Sequence, residues 1–322
     1  MNLSLGGSDM QFDDIRKTVV IGAGVMGHSI AQVFAQNGVE TCLVDLDQRM
    51  LDRAMELVKS NLETLAEFGK ITAGDIPGII KRIHPTTDLA VGCKDADFAV
   101  EAISEVVDAK KKIFSLIEKH CPAQSILASN SSSINIFDFV EIHNPGRLIV
   151  THWFAPPHII PLVEVVPGPN TSQETTVATA NFLHKMGKLP LVFKGLNGPS
   201  LVNRFQDLMA LPMWEALEKG WATPAEIDLA VKAVMAIRLP IVGIVQRLDF
   251  TGMDLVVDIT KNYGGTNPIA EKIAADGRLG AKSGKGFYDY GGRTEAQILK
   301  ARDIKYLQML DCLEKIEAFK PI

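Results

Sequence analysis

The sequence predicts an α/β chain in two parts, a doubly wound parallel sheet over residues 1–196 and an all-helical C-terminal domain over residues 197–322. Three observations predict it. A glycine-rich loop sits between a β-branched run and a helical pattern, short apolar runs alternate with helical patterns through the first half, and beyond Pro199 only helix signals remain. With 322 residues, 47% hydrophobic and 22% charged, the chain is long enough for two globular cores.

The first strand is read in TVVIGA. It runs into Gly22, Gly24 and Gly27, spaced G-x-G-x-x-G, with Val25 and Met26 between them and a helical pattern after. That context suits a dinucleotide: the glycines allow a tight turn, close approach of a pyrophosphate and close packing of helix on strand. The next strand, ETCLVD, ends on Asp45, placed to accept hydrogen bonds from an adenosine ribose. No arginine follows at once, and Asp47 adds negative charge, so NAD is expected rather than NADP. The plain alternative is a glycine-rich turn in an α/β domain that binds no dinucleotide.

Between Asp47 and His84 a helical stretch, broken at FGKITAGDIPG, is longer than a crossover needs and reads as a helical arm. DFAVEA, SILAS, RLIVTH and LVEVV supply further strands. Ligands in such sheets bind outside the carboxyl ends of the strands, where both the glycine loop and His152 fall. The apolar runs LIVTHWFAPP and PLVEVVP carry His152 and Glu164. A carboxylate on a strand covered on both faces is costly without a partner, and His152 is the evident one. Such a pair makes a general base, because the carboxylate orients the imidazole and stabilises its charged form. The alternative is an edge-strand glutamate beside a satisfied core histidine. His158 competes as base but follows two prolines on a loop, and His28, His84, His120, His143 and His184 read as surface or capping residues. His152 and His158 lack a third ligand at sensible spacing, so no metal is expected. The sheet pattern ends near LPLVFKGLNGP, which places the domain boundary near Gly195 to Gly198.

In the second half, TPAE at Thr223–Glu226 and TEAQ at Thr294–Gln297 are capping boxes, the first with Pro224 at the first helical position. The last helix places Ile298, Ala301, Ile304, Leu307, Leu310, Leu313, Ile316 and Phe319 three apart, so its apolar stripe winds and should meet more than one neighbour. That much apolar surface on a helical domain points to a homodimer, with a monomeric core as the alternative.

A net charge of −5 without basic runs argues against nucleic acid and anionic membranes, and for a small-molecule substrate. The start, MNLSLGGSDMQFDDIRK, lacks a basic segment before an apolar core, and Arg238 and Pro240 interrupt AVMAIRLPIVGIV, so neither signal peptide nor membrane span is expected. Cys42, Cys93, Cys121 and Cys312 are scattered without C-x-x-C spacing, which suits reduced thiols in the cytoplasm.

The chain resembles the L-3-hydroxyacyl-CoA dehydrogenase family through VIGAGVMGHSIAQVFAQNG, LVDLD, DADFAVEAISE, ILASNSSS, HWFAPP with PLVEVV, LVNR and GAKSGKGFYDY. The resemblance implies a Rossmann-type NAD domain, His152 and Glu164 as the catalytic pair, and Ser132 and Asn203 at the reacting oxygen. It also implies cofactor contacts at Glu105, Lys110 and Lys282. Oxidising a secondary alcohol requires a base for the hydroxyl proton and an acceptor for the hydride, roles that fall to His152 and NAD.

Three departures from the family pattern bear on the substrate. Ala155 stands where relatives carry a cofactor-touching asparagine. In the arm, NLETLAEFGK places Glu63, Glu67 and Phe68 where relatives meet the CoA nucleotide with lysines, leaving Lys70 as the nearby cation. VGIVQRLD replaces Gly-Pro-Phe and brings Gln246 and Arg247 near a helix start; Arg247 reads as a surface ion-pair partner, or as a contact for a substrate carboxylate. HWFAPPHIIP is also similar to relatives that oxidise small hydroxy acids or ring-borne alcohols without CoA. A non-catalytic NAD-binding structural or sensor protein is the reading from another class.

Overall fold

Apolar residues at alternating positions of the strands build a sheet with two buried faces. In a computed structural model, which describes residues 15–194 and 200–320, the strands are β1 (Lys17–Ile21), β2 (Glu40–Val44), β3 (Ile83–Thr86), β4 (Phe98–Glu101), β5 (Ile126–Ser129), β6 (Leu148–Trp153), β7 (Leu162–Pro167) and β8 (Leu189–Val192). They lie in the order β3-β2-β1-β4-β5-β6-β7-β8. Strands β1 to β6 pair in parallel, β7 runs antiparallel to β6, and β8 is parallel to β7. The connection from β6 to β7 is too short for a crossover helix, so the chain must turn back antiparallel. This turn places His152 directly opposite Glu164.

Val20, Phe98, Val100, Ile126 and Ile149 face one side of the sheet, against helices α1 (Gly27–Gln36), α2 (Gln48–Glu67), α3 (Ile76–Lys81) and, further along the chain, α6. Val19, Ile21, Leu127 and Leu148 face the other, against α4 (Leu89–Cys93) and α5 (Val107–His120). Helix α6 (Gln173–Lys185) closes the first face, where Phe182 meets Phe34 at a ring-centroid distance of 5.3 Å. The arm after Asp47 folds onto the core, because α2 buries Leu51, Ala54, Val58 and Leu62 at helical spacing.

Helices α7 (Leu201–Glu218), α8 (Pro224–Ala230), α9 (Ala236–Thr251), α10 (Met253–Asn262), α11 (Pro268–Ala275) and α12 (Glu295–Lys315) make up the rest. The chain divides into compact units at residues 207 and 208, so the first turns of α7 belong to the sheet unit. The expected boundary between 196 and 197 lies outside the described residues. Both capping boxes form, at the starts of α8 and α12. A π-turn joins α8 to α9, and Gly243, with φ of 64°, interrupts α9 so that Gln246 and Arg247 follow in the renewed helix. Helix α12 contacts α9 and the turn Ala281–Ser283, yet it buries only Ile298 and leaves Ile304 and Leu307 exposed. No described helix is long and apolar enough to cross a membrane.

Candidate active site

The loop after β1 is fixed by its glycines. Gly22 has φ of 102°, and a Cβ there would lie 2.6 Å from the Ala102 carbonyl oxygen; a Cβ on Gly27 would lie 1.7 Å from the Gly22 carbonyl oxygen. Both positions need glycine for the protein's own packing. Gly24 differs: nothing lies within 4 Å of the place its Cβ would take. The space beside it is a cradle that a side chain would fill, as a pyrophosphate site requires. Asp45 accepts hydrogen bonds from the backbone N–H groups of Ala23 (2.8 Å) and Asp47 (3.1 Å), which locks the glycine loop to the end of β2. Val25 is exposed at the loop tip, and Met26 lines the cavity described next.

A cavity of about 670 Å³ opens beyond the carboxyl ends of β4, β5 and β6, and Ser132, His152 and Asn203 line it together. His152 Nδ1 lies 2.9 Å from Glu164 Oε2, and Glu164 is fully buried. An ionised carboxylate only accepts, so the proton between the two lies on Nδ1, and Nε2 is the ring nitrogen left to meet a ligand. Burial alone would raise the Glu164 pKa. Hydrogen bonds from His152, Ser200 and the Val202 N–H, with the attraction of the imidazole, outweigh it and hold the carboxyl below its ordinary range. Ser200 is a residue that sequence reasoning missed. Its hydroxyl oxygen accepts from Asn203 N at 3.2 Å, as an N-cap does, so it joins the start of α7 to the buried carboxylate. Its position next to the residues LVNR was the available signal.

Ser132 is held from behind. Glu105 accepts from Ser132 N (2.5 Å), Ser132 Oγ (3.2 Å), Ser131 Oγ (2.6 Å) and Ser133 N (3.3 Å). Burial pushes the Glu105 pKa up, and these bonds with the nearby Lys110 charge bring it below the ordinary value. Lys110 is buried, with Nζ 2.6 Å from Glu101 Oε1 and 3.5 Å from Glu105 Oε2, and it is absent from the cavity lining. Glu101, also fully buried, accepts from Ser129 Oγ at 2.6 Å and was not foreseen. Lys282 lies in the second unit, where Nζ is 2.9 Å from both oxygens of Asp254. Asn130, at the cavity wall, accepts from Trp153 N at 2.9 Å. His28, read as a surface or capping residue, is buried with Nδ1 2.8 Å from the Gly24 carbonyl oxygen. Among the described residues no cluster of His, Cys, Asp and Glu is arranged to hold a metal ion.

A glycine cradle at the switch point of a doubly wound sheet, opening onto a histidine paired with a carboxylate, defines a dinucleotide-dependent oxidoreductase. Comparison with known proteins narrows the class. The family model for the 3-hydroxyacyl-CoA dehydrogenase NAD binding domain matches residues 17–196, and that for the C-terminal domain matches residues 201–290. A probable 3-hydroxybutyryl-CoA dehydrogenase of Deinococcus radiodurans is 35% identical over 84% of this chain and 99% of its own length. The 3-hydroxyadipyl-CoA dehydrogenase of Escherichia coli is 32% identical over 88% of this chain, which spans 61% of that longer protein. The crystal structure of a 3-hydroxyacyl-CoA dehydrogenase from Archaeoglobus fulgidus superposes with a TM-score of 0.77, at 27% identity, covering 93% of this chain and 99% of that one. The chain belongs to the 3-hydroxyacyl-CoA dehydrogenase family. It is an NAD-dependent oxidoreductase of that type.

Proposed function

We propose that the chain oxidises the hydroxyl of an L-3-hydroxyacyl-CoA to the 3-ketoacyl-CoA, with His152 as general base. The observation that carries this reading is the 2.9 Å contact between His152 Nδ1 and the buried Glu164, in a cavity also lined by Ser132 and Asn203. Bound NAD supplies the acceptor for the hydride leaving the carbinol carbon. Gly22, Gly24, Val25, Met26, Gly27 and Asp45 would hold it, and the open space at Gly24 fits a pyrophosphate. His152 Nε2 takes the hydroxyl proton, and Glu164 fixes the tautomer and offsets the imidazolium charge. Ser132 and Asn203 orient the hydroxyl and then donate to the product carbonyl. Glu105, Lys110 and Lys282 would be further contacts of the cofactor, and Glu105 also holds Ser132. In the reverse direction His152 returns the proton.

A second reading, a small hydroxy acid without CoA, is favoured by Glu63 and Glu67 on α2, since exposed carboxylates would repel a polyanionic nucleotide. NADH formation with a panel of 3-hydroxyacyl-CoAs and the matching free acids tests both. Turnover of the thioesters with little on the acids is expected. The opposite order overturns the CoA reading, and NAD binding without turnover on any of them overturns the enzymatic one.

We also infer a homodimer. Leu208, Leu211 and Trp214 form an exposed stripe at three-residue spacing on α7, each more than 60% exposed. A self-complementary contact with a second copy would bury it.

A further inference from the structure

We propose that Ser29 and His158 form a clasp that holds the loop of residues 154–161, one wall of the cavity, against the first turn of α1, which makes His158 a positioning residue. The proposal rests on the reading of this cavity as the active site. Ser29 lies two positions after Gly27 and is 1% exposed. Its Oγ accepts from the His158 backbone N–H at 3.0 Å and lies 2.8 Å from His158 Nδ1. In the clasp the hydroxyl gives its proton to Nδ1, and the neutral ring carries its own proton on Nε2. Both bonds join the same two residues, across 129 positions of sequence.

The loop so held contributes Ala155 and Ile160 to the cavity, where Met26 of the glycine loop also lies. A second tie reinforces the first. Lys188, buried just before β8, donates to the carbonyl oxygens of Pro157 (2.5 Å) and Ile160 (3.0 Å) and stands 5.6 Å from the centre of the Trp153 ring. Burial, and then the neighbouring His28 and Lys188, keep the His158 pKa below its ordinary value. These are the conditions under which Nδ1 stays an acceptor. With Nδ1 engaged and Nε2 protonated, His158 has no lone pair to offer as a base. Its work is to fix this wall of the cavity relative to the helix that follows the glycine loop.

The test is a double-mutant cycle with steady-state kinetics and thermal unfolding of each variant. Ser29→Ala and His158→Ala are each expected to raise KM for the hydroxy substrate by about 3- to 10-fold, with kcat changed by less than about twofold. The double variant should be no worse than Ser29→Ala, because that substitution already removes both bonds, including the side-chain bond that His158→Ala deletes. His158→Asn, whose amide oxygen can accept the same hydroxyl proton, should bring KM back to within about twofold of the parent. Additive effects, a change in only one single variant, no change in either, or failure of asparagine to restore KM overturn the clasp. If Ser29→Ala does not fold, the alanine and asparagine variants of His158 decide between the outcomes. All these variants keep His152, so the result is separate from that of His152→Ala, which tests the site itself.

Discussion

Glu164 is a fully buried carboxylate whose two oxygens are both engaged, one by the imidazole at 2.9 Å and the other by the Val202 N–H at 3.3 Å. On the proposed mechanism its charge is what keeps the Nδ1 proton in place. Glu164→Gln keeps the shape but lets the amide NH₂ face the ring, which favours the wrong tautomer, so turnover should fall by about 10²- to 10⁴-fold with little change in KM. Steady-state kinetics check this, and a variant within tenfold of the parent would remove Glu164 from the mechanism. The same residue predicts an acid response. Its folded pKa lies below the ordinary 4.5, so its contribution to stability is complete above that value and is lost as pH falls through the folded value. Unfolding midpoints followed from pH 6 to pH 3 should therefore drop less steeply in Glu164→Gln than in the parent.

The glycine loop separates packing from binding at the scale of one element. Gly27→Ala forces a Cβ into the Gly22 carbonyl and should destabilise the fold by about 1–3 kcal/mol. Gly24→Ala meets no protein atom, so its unfolding midpoint should match or exceed the parent's, while NAD affinity falls by about tenfold or more. Calorimetric unfolding with NAD titration distinguishes the two, and a Gly24→Ala protein that binds NAD normally would refute the cradle. This loop was legible because each glycine answers a local demand. The His152–Glu164 pair was legible for a related reason: two apolar runs close in sequence can only meet as neighbouring strands, and a buried charge must then find its partner across them. Strand β3 was not, since IHPT is a short edge strand with a proline and no apolar run. Nor were Glu101, Ser200 or the bond from Ser29 to His158, because such partners are set by tertiary packing and leave no periodic trace. Lys110 shows the same limit: its motif was recognised, but only the fold places its ammonium in the interior, between two carboxylates.

For the whole molecule, the two units differ in how well they bury themselves. The sheet unit has two large cores, whereas the helical unit has small clusters around Met253 and Tyr290 and leaves Leu211, Trp214, Trp221 and Ile269 each more than 60% exposed. Sedimentation should give twice the chain mass of 35.1 kDa, and Leu211→Glu with Trp214→Glu should shift it to the monomer. A parent protein that sediments as a monomer at micromolar concentration contradicts the dimer.

On the proposed mechanism His152 exchanges the substrate's proton, while the glycine loop holds the dinucleotide. Turnover of His152→Ala, measured beside its NAD affinity, tests this most directly. A loss of at least about 10²-fold in kcat with NAD affinity unchanged is expected; turnover within tenfold of the parent would remove His152 as the base.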